Sequence, residues 1–134
     1  YVRRTMRACE DTGGLVRYVG PAGQAWKVEL LQEARCLVTP VQPPYIEIWG
    51  LSTTEAMACG TPVLSTDLGA AKEQIIEGVT GSVVMNTEGL VEGLAVALQC
   101  DPSACRRRAE EFSRERMARE YAALYEGMLA GEEW

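Results

Sequence analysis

The 134 residues carry 13 Lys and Arg against 19 Asp and Glu, and the net charge of -6 argues against general binding to nucleic acid or to an anionic membrane. An apolar fraction of 47% suits one globular domain with a sizeable core. The absence of histidine excludes Ser-His-Asp and Cys-His catalysis and the commonest zinc sets within this chain, and Cys9, Cys36, Cys59, Cys100 and Cys105, an odd number without CxxC spacing, read as reduced thiols.

In chain order, Val2, Met6 and Cys9 fit a first helix closed by Gly13 and Gly14. Residues 15–19 form a short apolar run that ends at a Gly-Pro breaker, and residues 37–39 form a second that ends at Pro40; each reads as a buried strand. Between them Trp26, Leu30, Leu31 and Ala34 recur at helical spacing, giving a helix over 24–34. The alternation continues with a helix over 51–59, a strand over 62–65, a helix over 70–77 and a strand over 81–84. Strands alternating with short helices predict a parallel sheet with right-handed crossovers. The fold class is therefore α/β, with about four strands in residues 1–85 and a helical tail in 86–134.

In that tail Leu90, Val91, Leu94, Ala95 and Leu98 share one face of a helix opened near Asn86 or Thr87. Asp101 and Pro102 open another helix, and Ser113 caps a third. On that last helix Met117, Tyr121, Leu124, Tyr125 and Met128 form an apolar stripe that needs a surface to cover. Arg106, Arg107, Arg108, Arg114, Arg116 and Arg119 are interleaved with Glu110, Glu111, Glu115 and Glu120, which favours a salt-bridged solvated face over contact with anionic lipid. No run of about 18 apolar residues occurs and the start lacks a signal peptide's apolar stretch, so the chain reads as soluble and cytoplasmic.

The chemistry concentrates in residues 47–62, EIWGLSTTEAMACGTP. Glu47 and Glu55 lie eight positions apart and straddle Gly50, where a buried strand gives way to a helix. A helix N-terminus offers unpaired N–H groups and partial positive charge, which hold phosphate oxygens. Ionised carboxylates only accept hydrogen bonds, which suits the hydroxyls of a ribose or hexose. Both glutamates can therefore reach one ligand lying across the helix end, and a sugar nucleotide has the required parts. Ser52 and Glu55 also satisfy the S-x-x-E capping box, in which Glu55 folds back on its own helix. Asp67 is placed to cap the helix that begins near Ala70, and Glu73 to brace that helix or face solvent.

Gly20, the EARCLVTP strand entry, Glu47 through Glu55 as an E-x7-E motif, EAMACGTPV, Asp67, Gly69, Glu73 and EGVTGSVV, taken in this order, carry a family resemblance over nearly the whole chain. It resembles the second half of the C-terminal, nucleotide-sugar-binding domain of retaining GT-B glycosyltransferases, closest to glycosyltransferase family 4 of the group 1 type. The resemblance implies a partial three-layer Rossmann-like domain over 1–134. It implies that Glu55 accepts from the ribose hydroxyls of a nucleoside diphosphate sugar and that Glu47, as the catalytic residue, faces the donor sugar. Backbone around Gly50, Leu51 and Ser52 would receive the distal phosphate, and Trp49, where the family carries Phe, would stand at the pocket wall. No metal and no other cofactor is implied. The family's diphosphate-neutralising Arg/Lys pair and the N-terminal acceptor domain fall upstream of this chain, and the acceptor stays unnamed. Transfer to an acceptor hydroxyl by the longer protein, peripheral to a membrane in that form, is what the resemblance implies, with the chain alone inactive. The same doubly wound order leaves two strands missing between residues 15–19 and 37–39, which predicts a homodimer or a rearranged sheet edge. A non-catalytic binding or self-association module on the same scaffold is the rival reading; a sugar-nucleotide epimerase fits the EAMACGTPV segment less well.

Overall fold

A computed structural model describes residues 2–131. Helix α1, Val2–Glu10, runs into a turn that carries two successive left-handed glycines, Gly13 and Gly14, where its sequence predicts the helix to close. Helix α2, Gln24–Glu33, leads into strand β1, Leu37–Thr39. Helix α3, Leu51–Ala58, strand β2, Val63–Thr66, the short helix α4, Ala71–Gln74, and strand β3, Gly81–Val84, complete the alternation. The three strands lie side by side in the order β1-β2-β3, all parallel, with Leu37 opposite Val63 and Val63 opposite Gly81.

Side-chain alternation along β2 sorts the layers. Val63 joins Ala56 and Met57 of α3, Ile75 and Cys105 in the buried core, with Leu31 and Phe112 packed around them. Leu64, one residue on, meets the opposite layer: a Cβ added to Gly93 would sit 2.6 Å from its Cδ1. Gly93 belongs to helix α5, Leu90–Ala97, which follows a 3-10 turn at Thr87–Gly89. Helix α6, Pro102–Glu110, returns to pack on α3. The α/β class, the parallel sheet and the helical C-terminus are thus as the sequence predicts.

The two caps expected in the helical tail fall into place. Asp101 accepts from Ser103 N at 3.0 Å to open α6, and Ser113 accepts from Arg116 N at 3.3 Å to open helix α7, Arg114–Ala130. Helix α4 is shorter than the predicted 70–77, because Ile75 turns extended and enters the core while Thr80 Oγ1 accepts from Ile76 N at 2.9 Å.

Two expectations meet a different outcome. Residues 15–19 form no strand, and Leu15 is 91% exposed. A strand persists only where a neighbour pairs its N–H and C=O groups, and among the described residues the outer edge of β1 has no partner strand. The sheet therefore holds three strands. The stripe on α7 is uncovered: no residue of this helix is buried, and Met117, Tyr121, Tyr125 and Met128 are each more than half exposed.

Candidate functional site

The turn between β1 and α3 builds the site. Gly50 is the N-cap of α3 with ordinary negative φ and no side-chain cap, so the helix opens with bare backbone. The first helical hydrogen bond runs from Thr53 N to Gly50 O at 3.0 Å, which leaves the N–H groups of Leu51 and Ser52 ahead of the ladder. Space beside Gly50 is tight: an added Cβ would lie 3.0 Å from Thr53 Oγ1, which would have to shift by a few tenths of an ångström, and in ordinary contact at 3.5 Å from Gln74 Oε1 and Glu47 Cγ.

A crevice of about 30 Å³ opens beside this turn. Its floor is Thr39 and Ser65 at the carboxyl ends of β1 and β2, its walls are Gly50, Ser52 and Thr53 of α3 and Ala71 and Gln74 of α4, and Glu47 stands at its lip. That is room for a few water-sized groups at most. It is too small to enclose a nucleotide sugar by itself, and it shares Val41 and Glu47 with an open groove of about 560 Å³ along residues 40–47. Open parallel sheets bind ligands at this end of their strands.

Two supports fix the turn. Gly69 has φ +68, and a Cβ there would fall 1.8 Å from Glu47 O, so only glycine lets the loop after β2 lie against the Glu47 backbone, where Ala70 N donates to Glu47 O at 3.4 Å. From below, the 2% exposed Gln74 donates through Nε2 to Gly50 O at 3.1 Å. Arg108 of α6 donates to the Gln74 carbonyl at 3.0 Å and to the Glu73 carbonyl, and its guanidinium lies 4.6 Å from the Phe112 ring centre. Trp49 meets the same ring edge-on at 5.1 Å. Trp49, and Gln74 which holds Gly50, are thereby tied to Arg108 of α6 and to Phe112 just beyond it.

Of the residues picked out from sequence, Glu47, Gly50 and Ser52 gather at the crevice. Trp49 turns to Phe112 and Leu51 is mostly exposed, so neither side chain lines it. Glu55 lies on the flank facing α2, where its Oε1 accepts from Lys27 Nζ at 2.6 Å. The capping box does not form, because the helix starts at Gly50 and places Ser52 at its second residue instead of the N-cap. Asp67 likewise caps nothing: it pairs with Lys72, and Ala70 occupies the N-cap of α4. Thr39, Thr53, Ser65, Gln74 and Lys27 escape the sequence reading. Ser65 and Thr66 gave the one local signal, hydroxyls at the end of an otherwise apolar strand. Lys27 gave none, being an ordinary charge in a helical pattern.

Among the described residues no group of three or more His, Cys, Asp and Glu is placed to hold a metal ion. Burial favours the protonated form of three thiols: desolvation raises Cys36 and Cys100, and pushes Cys105 up to about 11. The basic stretch is salt-bridged, with Arg116 on Glu120 at 2.6 Å and Arg108 on Glu111.

The sequence pattern of the family described as "Glycosyl transferases group 1" matches residues 11–116, from the end of α1 to the start of α7. The chain belongs to this glycosyltransferase family. Glycogen synthase of Mycobacterium tuberculosis (strain CDC 1551 / Oshkosh) is 33% identical over 108 residues, covering 78% of this chain and 25% of that protein. Lipopolysaccharide core biosynthesis mannosyltransferase LpcC of Rhizobium leguminosarum bv. viciae is 35% identical over 104 residues, covering 71% of the chain and 30% of the relative. Among solved structures, sucrose-phosphate synthase from Thermosynechococcus elongatus superposes with a TM-score of 0.72 at 26% identity, over 96% of this chain and 34% of that one. This group 1 chain thus spans between a quarter and a third of the length of these relatives. The family match takes in the whole crevice and stops short of the α7 stripe. No helix among the described residues is long and apolar enough to cross a membrane.

Proposed function

We propose that this chain is the donor-binding portion of a retaining glycosyltransferase of the family 4 type, acting on a nucleoside diphosphate sugar and an acceptor hydroxyl. The observation that carries this reading is the uncapped N-terminus of α3 beside a small notch at the carboxyl ends of β1 and β2, with Glu47 at its lip. A terminal diphosphate oxygen fits such a notch, where the N–H groups of Leu51 and Ser52 and the helix dipole stabilise the charge that grows as the glycosidic bond breaks. Glu55 stands about 7.5 Å along the helix from Gly50, given a rise of 1.5 Å per residue, at a reach that suits the ribose hydroxyls. Glu47 accepts from a hydroxyl of the donor sugar and supports the cationic character of its anomeric carbon.

Ligand chambers enclose roughly 300–1,000 Å³, an order of magnitude more than this notch. One wall of a site is present, which supports the reading of 1–134 as a partial domain that turns over only beneath an N-terminal acceptor domain. Location in the cytoplasm, peripheral to a membrane in the longer protein, belongs to the same reading. A second reading, a non-catalytic nucleotide-sugar-binding or self-association module, draws on the Lys27 contact of Glu55 and on the edge of β1 that carries no strand among the described residues, through which two copies would pair. Amide spectra of the labelled chain titrated with UDP-glucose, GDP-mannose and ADP-glucose test the site. The donor reading expects the largest shifts at Leu51, Ser52 and Thr53; shifts confined to other surfaces, or none, would overturn it.

A further inference from the structure

Four of the five ion pairs among the described residues join positions no more than six apart: Lys72 with Asp67, Arg107 with Asp101, Arg108 with Glu111 and Arg116 with Glu120. The fifth joins Lys27 to Glu55 across two helices, 28 positions apart, at 2.6 Å. Both of its side chains are about a third exposed, a setting in which an ion pair adds little to stability. Its consequence is geometric. An ammonium on Oε1 fixes the direction of the Glu55 carboxylate and leaves Oε2 to accept from another donor. Glutamate has three rotatable side-chain bonds, and ordering them before a ligand arrives removes an entropic cost from binding.

We propose that Lys27 is a positioning residue for nucleotide recognition, holding Glu55 so that its second oxygen receives a ribose hydroxyl. The recognition surface then extends from α3 onto α2. This inference rests on the donor-site reading above. Lys27 acts through Glu55 alone, which separates it from a lysine that touches phosphate.

The test is a double-mutant cycle on the full chain, with dissociation constants for UDP, GDP and ADP and thermal melts of every variant. Lys27→Met is expected to weaken the best-bound nucleotide about fivefold, the worth of one pre-ordered side chain, while the melting temperature holds. Lys27→Arg keeps the pair and stays near wild type. In the Glu55→Ala background, Lys27→Met adds no further loss. Wild-type affinity in Lys27→Met would overturn the inference and leave the donor site standing. A loss that persists in the Glu55→Ala background would also overturn it, since Lys27 would then touch the ligand itself. Should Lys27→Met unfold, Lys27→Gln carries the same comparison. Failure of the wild-type chain to bind any of the three nucleotides would overturn the donor-site reading, and this inference with it.

Discussion

Gly69 and Gly78 have nearly the same left-handed backbone, φ +68 and φ +69, yet their surroundings differ completely. A Cβ at Gly78 meets nothing within 4 Å, whereas at Gly69 it strikes Glu47 O at 1.8 Å. Gly78→Ala should therefore cost about 1 kcal/mol, the strain of a left-handed alanine alone. Gly69→Ala should cost about 3 kcal/mol, because the loop carrying Glu47 must also move away. Urea titrations of the two variants measure this difference, and equal losses would contradict the close approach of these loops. At this scale the sequence was informative about residue type and poor about direction. Glu47, Gly50 and Ser52 stand at the crevice because the E-x7-E spacing brackets a strand-to-helix turn. Trp49 and Glu55 do not line the crevice itself, because their side chains meet partners far off in the chain, Phe112 for one and Lys27 for the other.

Elements that carry their own punctuation were the legible ones. Asp101-Pro102 and Ser113 announce α6 and α7, and the apolar run from Gly81 to Val84 coincides with β3. Helix α4 stops short of its apolar spacing, because Ile75 fits a helical pattern while the core pulls it out of the helix. Helix α6 carries a test of its packing. Cys105 is fully buried against α3, and burial pushes its thiol up to about 11 from an ordinary 9.0. A thiol whose folded value is raised stays bound to its proton in the folded state while the unfolded chain ionises. Its contribution is complete below pH 9.0 and fades as pH rises toward about 11, by an amount on the order of 2 kcal/mol. Stability curves from pH 8 to about 11 should thus fall more steeply for wild type than for Cys105→Ala, after the constant loss from the smaller side chain is removed. Parallel curves would contradict the buried, protonated thiol.

Over the whole molecule, the parallel order and three-layer arrangement follow from strand and helix alternation, which is a property of the sequence. What pairs with what does not follow. Residues 15–19 have a strand's composition and lack a strand's neighbour, so composition alone misjudged them. The α7 stripe shows the same limit, since periodicity states that a face is apolar and is silent on what covers it. The crevice survives these gaps because everything that shapes it, from Thr39 to Gln74 with Arg108 behind, lies within the stretch matched by the family. Its role as one wall of a donor site is the central claim. Calorimetric titration of the chain with UDP, GDP, ADP and their sugars, for wild type and Glu55→Ala, addresses it most directly. The account predicts millimolar or tighter binding of at least one nucleotide by wild type and a loss of about tenfold in Glu55→Ala, near 1.4 kcal/mol. No binding, or binding untouched by Glu55→Ala, would contradict it.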